Sequence, residues 1–240
     1  MKGIIIAGGR GSRLYPVTKV INKHLLPVYD KPMIFYPINT LVKAGLKDII
    51  IVSNKDQLDQ FKKLLTDVGE FFGVNFNFIK QKEAAGIAHA LASCKKIIKD
   101  DKVVVVLGDN IITDNIMPGL ENFEKQDKGA KVFLKEVSKP ERYGVATIEE
   151  DEIVSIEEKP FSPKSNYAVT GLYMYDNLVW DIIAGLQPSI RGELEVTDVN
   201  NYYLKQGSLS YEILQDDWYD IDTFNLLLEA NLGISQNKTK

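Results

Sequence analysis

Two segments of this 240-residue chain combine residue types that can handle a phosphorylated ligand. The run Ala7-Gly8-Gly9-Arg10-Gly11-Ser12-Arg13 sets three glycines and two arginines directly after the apolar Ile4-Ile5-Ile6. Glycine lets the backbone approach a ligand and aim several N–H groups at an anion, and guanidinium matches phosphate geometry. A plain tight turn would use the same glycines. Two better-known phosphate loops are excluded by spacing: no Gly-Lys precedes a Ser or Thr, and a dinucleotide fingerprint starting at Gly9 would need glycine where Leu14 stands. The second segment is Leu107-Gly108-Asp109-Asn110. It closes Val103–Leu107, which reads as a strand buried on both faces. A turn-forming Asp-Asn pair is one reading. An acid at the carboxyl end of a central strand also lies where open α/β sheets bind ligands, and that position points to Asp109 as a metal ligand.

Other candidates carry less by themselves. The Gln81 amide offers a donor and an acceptor in one plane, which suits the N3–H and O4 edge of thymine or uracil; flipped, it suits cytosine. Lys23 reads as a solvated lysine and Glu157-Glu158-Lys159-Pro160 as a surface charge cluster. His24 and His89 read as packing or solvent-facing residues, and Cys94 as a core thiol in a helix.

The elements that must position these residues follow from hydrophobic patterning. Apolar runs at Ile4–Ile6, Ile49–Val52, Phe76–Phe78 and Val103–Leu107 alternate with amphipathic stretches at 33–44, 58–65 and 87–98, the pattern of a parallel sheet covered by helices. After Lys131, closely spaced strands at 131–137, 145–148, 153–156 and 168–175 predict antiparallel additions. Helices near 178–185 and 194–206, a strand at 209–214 and a helix from Thr223 follow, with a frayed tail over 235–240. The expectation is one α/β domain over residues 1–240, Rossmann-like and three-layered, with a mixed, mainly parallel central sheet. The net charge of −4 gives no general field for nucleic acid or anionic membranes, and no apolar run approaches the ~20 residues of a bilayer span. A single cysteine allows no internal disulfide, so a reducing, cytoplasmic setting is expected.

Gly3 to Leu14, followed by Lys23-His24-Leu25-Leu26-Pro27-Val28 and Lys31-Pro32-Met33, resembles the signature of the sugar-1-phosphate nucleotidyltransferases, and within them the glucose-1-phosphate thymidylyltransferases. The likeness runs from Met1 to about Leu232. It implies that Gly8, Gly9, Gly11, Ser12, Arg13, Gln81 and Gly86 bind the nucleotide, and that Arg13 and Lys23 neutralise the triphosphate and the leaving pyrophosphate. It implies that Asn110, Tyr143, Gly144, Glu158, Lys159, Val169 and Arg191 hold the sugar phosphate, with Lys159 on the phosphate itself. Asp109 and Asp220 would hold Mg²⁺. Trp218-Tyr219-Asp220-Ile221-Asp222-Thr223 is similar to a family pattern Trp-x-Asp-x-Gly-Thr, with Asp222 at the usual glycine. Asp222 is expected either to adopt an unusual backbone conformation or to cap the last helix.

The activity so implied joins glucose 1-phosphate to dTTP, giving dTDP-glucose and pyrophosphate, as in a dTDP-rhamnose route. The partners are small molecules, and a homo-oligomer is left open. Many such enzymes continue with helices that build an effector site, so feedback by that route is not expected of this chain. Alternatives are a UTP- or CTP-using relative and a non-catalytic nucleotide-sugar-binding module, the latter suggested by Asp222 and Ala84-Ala85. An NAD-binding oxidoreductase lacks its third glycine.

Overall fold

The computed structural model describes residues 1–66, 68–81, 83 and 85–237. Strands are β1 (Lys2–Ile6), β2 (Pro27–Val28), β3 (Lys31–Pro32), β4 (Asp48–Asn54), β5 (Asn75–Gln81), β6 (Val103–Leu107), β7 (Asn110–Ile112), β8 (Ala130–Glu136), β9 (Gly144–Glu149), β10 (Glu152–Glu158), β11 (Tyr167–Tyr175), β12 (Leu209–Ile213) and β13 (Trp218–Asp220). Helices are α1 (Phe35–Lys43), α2 (Lys55–Thr66), α3 (Gly69–Phe72), α4 (Ile87–Ala92), α5 (Lys95–Ile98), α6 (Met117–Lys125), α7 (Val179–Gly185), α8 (Val196–Lys205) and α9 (Phe224–Asn237).

Among the described residues, one nine-stranded sheet runs β10-β9-β11-β6-β1-β4-β5, with β8 also on β11 and β12 on β8. The pairs β6–β1, β1–β4 and β4–β5 are parallel, while β11 meets β6, β8 and β9 antiparallel. The sheet is mixed and helix-covered, as its alternating pattern predicts. Period-2 alternation sorts the buried side chains into two cores. Ile4, Ile6, Val103 and Val105 pack on one face with Leu91, Ile98, Ile183 and Tyr203, from α4, α5, α7 and α8. Ile5, Val104 and Val106 pack on the other with Ile38, Leu41, Phe61 and Phe123, from α1, α2 and α6. A smaller cluster of Val28, Met33, Ile111, Ile221, Ala230 and Ile234 fastens α9 and β13 to β7.

Several boundaries differ from the expectation for physical reasons. The helix read over 87–98 is two helices. Ser93 and Cys94 donate to carbonyls three residues back, at 3.2 and 2.9 Å, and this tightening interrupts the α-helical ladder, leaving Cys94 between the two helices. Strand β5 continues through Gln81, which pairs with Asn54. The helix read from 194 starts at Val196, because Leu194 is engaged with Ala85 and Ala88 through backbone hydrogen bonds of 2.9 and 3.3 Å. Helix α9 runs on through Ser235 to Asn237, where a frayed tail was expected. Sequence reading also passed over α3, α6 and the two small sheets β2–β3 and β7–β13.

Ile5 is fully buried on a strand with neighbours on both edges. Ile5→Ala should lower unfolding stability by about 2–5 kcal/mol, the range for emptying a packed aliphatic site. Urea unfolding checks this, and a loss under 1 kcal/mol would contradict a rigid core here.

Candidate active site

The site is assembled where β1, β6 and β4 reach their carboxyl ends, the edge at which open α/β sheets bind ligands. Antiparallel pairing of β7 with β13 sets Asp220 opposite Asn110 in register. The Ile221 N–H donates to the Asp109 carbonyl at 3.0 Å and locks the two segments together. Two acids 111 positions apart in the chain thereby meet. The Asn110 amide nitrogen donates to Asp109 Oδ1 at 3.1 Å and to Asp220 Oδ1 at 3.3 Å. The Asn110 oxygen accepts from the Gly171 N–H at 3.0 Å and from Trp218 Nε1 at 2.7 Å. Asn110, read as a sugar ligand, is thus on the cavity wall with its amide already engaged, and links the two acids to β11 and Trp218.

Lys23 opens a short 3₁₀ turn, and its ammonium pairs with Asp109 in a short contact. Burial works against the Lys23 charge, but the carboxylates, Asp109 first, leave its pKa above the ordinary value. Burial works against the Asp109 charge too, and Lys23 outweighs it, so Asp109 titrates below the usual carboxylate range. Among the described residues Asp220 makes no such ion pair. Burial first, then the neighbouring Asp109 charge, raises its pKa above the usual range. The pair therefore carries one satisfied and one unsatisfied acid, an arrangement that favours a hard cation beside Asp220. Among the described residues no group of three or more acids, histidines or cysteines could hold a metal by itself. Two carboxylates fit Mg²⁺, which keeps waters and takes substrate phosphates as ligands.

The glycine turn lies against this centre. Gly9 and Gly11 adopt positive φ, 98° and 59°. A Cβ on Gly8 would lie 2.4 Å from Gln81 Oε1, so the turn and the end of β5 adjoin and glycine permits it. Asn54 donates to the Gly9 carbonyl at 3.1 Å. Arg10, Thr18, Asn54 and Gln81 line a cavity of about 790 Å³. Ser12 and Arg13 begin a 3₁₀ turn after Gly11, and Arg13 pairs with Asp222. Gly86 has φ 101°, and its Cβ direction is filled by the Leu194 carbonyl at 2.5 Å. That face of Gly86 meets protein backbone, which leaves no room for a side chain there. Lys82 and Ala84 lie outside the described residues.

On the other side, Tyr143, Gly144, Glu158, Lys159, Val169 and Arg191 all line one small cavity of about 170 Å³, together with Asn110 and Asp220. Pairing of β9 with β10 puts Gly144 opposite Glu158. Strand β11 is bulged against β8 between Val169 and Tyr173, beneath this cavity, as bulges beside active sites often are. Glu158 accepts from Thr197 Oγ1 at 2.6 Å and from Arg191 at 3.3 Å. Lys159 has φ 45°, an uncommon conformation for a non-glycine residue and one that concentrates at functional sites. Arg191 is gripped by Glu195, at 3.1 and 2.7 Å.

Sequence reasoning did not single out Arg142, Tyr173, Thr197 or Glu195, and treated Trp218 only as part of a motif. Trp218 packs on Tyr143 with ring centroids 5.0 Å apart. Its place beside Asp220 in an otherwise polar segment was the available signal. Asp222 neither adopts positive φ nor caps α9; Thr223 Oγ1 accepts the Leu226 N–H at 3.4 Å instead.

A model of the nucleotidyl transferase family matches residues 2–237. The chain belongs to that family. It is 47% identical over 234 residues to a glucose-1-phosphate thymidylyltransferase of Neisseria meningitidis, covering 96% of this chain and 81% of the relative. A Bacillus anthracis crystal structure described as a glucose-1-phosphate thymidylyltransferase in complex with a sucrose is similar at 50% identity and TM-score 0.92, covering 97% of this chain and 94% of that one. A UDP-glucose pyrophosphorylase complexed with UDP-glucose is similar at 25% identity and TM-score 0.86, covering 98% of both chains. Among the described residues, no helix is long and apolar enough to cross a membrane.

His24, 2% exposed, directs its backbone N–H and its ring Nδ1 at one acceptor: Asn22 Oδ1 lies 2.8 Å from His24 N and 2.7 Å from Nδ1. Burial, with Lys23 adding to it, lowers its pKa to about 3. Between that value and the unfolded value near 6.5, the unfolded chain binds more protons, so stability falls as pH drops through this window. The slope is up to about 1.4 kcal/mol per pH unit. Denaturant titrations from pH 6.5 to 5 should show His24→Gln losing about 2 kcal/mol less than the wild type. Parallel losses would contradict a buried neutral imidazole.

Proposed function

We propose that this chain transfers the nucleotidyl group of dTTP to glucose 1-phosphate and releases pyrophosphate, by one in-line displacement supported by Mg²⁺. The observation that carries this reading is the adjacency of the Asp109–Asp220–Lys23 cluster to a sugar-sized cavity on one side and the glycine turn with Gln81 on the other. The names of the relatives support the substrates.

A sugar phosphate is an anionic nucleophile at neutral pH, so its attack on the α-phosphorus needs no base. The protein has to hold two mutually repelling anions in line and balance the charge that grows on the leaving pyrophosphate. Glu158, fixed by Thr197 and Arg191, offers its remaining acceptor capacity to sugar hydroxyls. Lys159, whose N–H bonds the Tyr143 carbonyl at 2.9 Å, would meet the sugar phosphate. Lys23 and Arg13 serve the triphosphate side. Mg²⁺ on Asp109 and Asp220 would supply charge neutralisation at the phosphates. Gln81 presents an amide that pairs equally with thymine and uracil. A UTP-using enzyme is the second reading, favoured by that indifference and by the likeness to the UDP-glucose complex.

Pyrophosphate release with glucose 1-phosphate and Mg²⁺, run in parallel with dTTP, UTP, CTP, GTP and ATP, tests the assignment. Release fastest with dTTP is expected, and a preference for UTP would transfer the conclusion to the second reading. Arg13→Ala or Lys159→Ala should lower turnover by roughly 10²–10³, as for loss of a transition-state donor. Near-normal turnover in both variants would remove these cations from the mechanism.

A further inference from the structure

The Asp222 carboxylate, with its side chain 19% exposed, sits between two guanidinium groups. Its Oδ2 takes Arg13 Nη1 and its Oδ1 takes Arg142 Nη2 at 3.0 Å. Arg13 comes from the glycine turn, and Arg142 from the 3₁₀ turn Pro140–Arg142 that leads into Tyr143 on the sugar side. Arg13, Arg142, Lys159, Asp220 and Asp222 share a cavity of about 810 Å³ that adjoins the sugar cavity. A carboxylate bound by guanidinium presents two anionic oxygens in a plane, much as a phosphate edge does. The acid thus occupies the same donors that an incoming polyphosphate would use.

We propose that Asp222 is a built-in stand-in for phosphate. It holds Arg13 and Arg142 in place before the triphosphate arrives, and opposes the bound polyphosphate afterwards. The inference rests on the nucleotidyl-transfer reading for the identity of the anion. Two effects of the carboxylate compete. Ordering two long side chains favours substrate binding, because less rotamer freedom is lost when the ligand docks. A fixed negative charge within a few ångströms of a highly charged polyanion opposes it, and the shelter of Asp222 and Arg142 keeps that repulsion from being fully screened, although Arg13 is open to solvent. Arg142 is also steadied by the Tyr143 ring, 5.6 Å from its guanidinium carbon, so its order does not rest on Asp222 alone. Repulsion then dominates. Asp222 sets a looser hold on triphosphate and pyrophosphate, and so favours departure of the pyrophosphate product.

The test is calorimetric binding of inorganic pyrophosphate with Mg²⁺ to the wild type, Asp222→Asn and Asp222→Glu, beside steady-state kinetics of the same proteins. Asp222→Asn should bind pyrophosphate about tenfold more tightly, with a lower KM for the triphosphate and an unchanged KM for the sugar phosphate, whereas Asp222→Glu should stay near the wild type. Structural damage cannot produce a gain in affinity of this kind. Unchanged or weaker pyrophosphate binding in Asp222→Asn, or equal tightening in Asp222→Glu, would overturn the inference. Binding does not depend on turnover, so absence of pyrophosphate release with every nucleotide would count against the nucleotidyl-transfer reading and leave the binding comparison to decide the role of Asp222.

Discussion

Two carboxylates buried side by side are the constraint around which this molecule is arranged. Asp109 and Asp220 share one donor, the Asn110 amide, and among the described residues only Asp109 forms an ion pair. A buried, unmatched acid costs stability unless a partner arrives. The fold meets that cost with strong local anchoring. The β7–β13 ladder and the small core beneath α9 hold Asp220 in place, and the bulge in β11 brings the Gly171 N–H to the Asn110 oxygen. In the proposed reaction a cation entering with a phosphorylated substrate would supply the missing charge, and ligand binding and relief of the acid pair would be the same event.

The flanking parts take their roles from this centre. The glycine turn lies directly over the ends of β1 and β5, where any side chain at Gly8 would collide with Gln81. On the sugar side, the β9–β10 hairpin turns Gly144 toward Glu158, and the strained backbone at Lys159 aims its side chain back at the site. Carboxylates surround Arg191, at 2.7 Å from Glu195, 3.3 Å from Glu158 and 3.5 Å from Glu193. Arg13, Lys23, Lys159 and Arg191 each pair with an acid, so the site is not a bare basic patch.

Much of this organisation was legible in the sequence. The run Val103–Leu107 could only be a buried strand, and the acid after it stood where sheets of this kind bind ligands. The glycines after β1 marked a tight turn at the carboxyl edge of the sheet, and Gly9 and Gly11 do take positive φ. What was not legible depends on pairing across long stretches of chain. Nothing local in Asn110 shows that its amide would be used up by Asp109, Asp220, Gly171 and Trp218. Nothing near Arg142 or Thr197 shows that they would face Asp222 and Glu158. Asp222 was read for backbone conformation or capping, both local effects, whereas its role is a contact across 209 positions to Arg13. The break at Ser93–Cys94 was hidden because both halves of the segment carry the same apolar face.

In the proposed transfer the sugar phosphate attacks the nucleotide directly, with no covalent protein intermediate. Two groups suited to such an intermediate are withdrawn: Cys94 is buried, its thiol pushed up to about 12 by that burial, and His24 is 2% exposed with its ring Nδ1 engaged by Asn22. The most direct test is stereochemical. A single diastereomer of dTTP carrying sulfur on the α-phosphorus is turned over with glucose 1-phosphate, and the configuration at phosphorus is read in the sugar nucleotide formed. Inversion is the predicted result, the mark of one in-line displacement. Retention would mean two displacements through an enzyme-bound nucleotide, and would contradict the account at its centre.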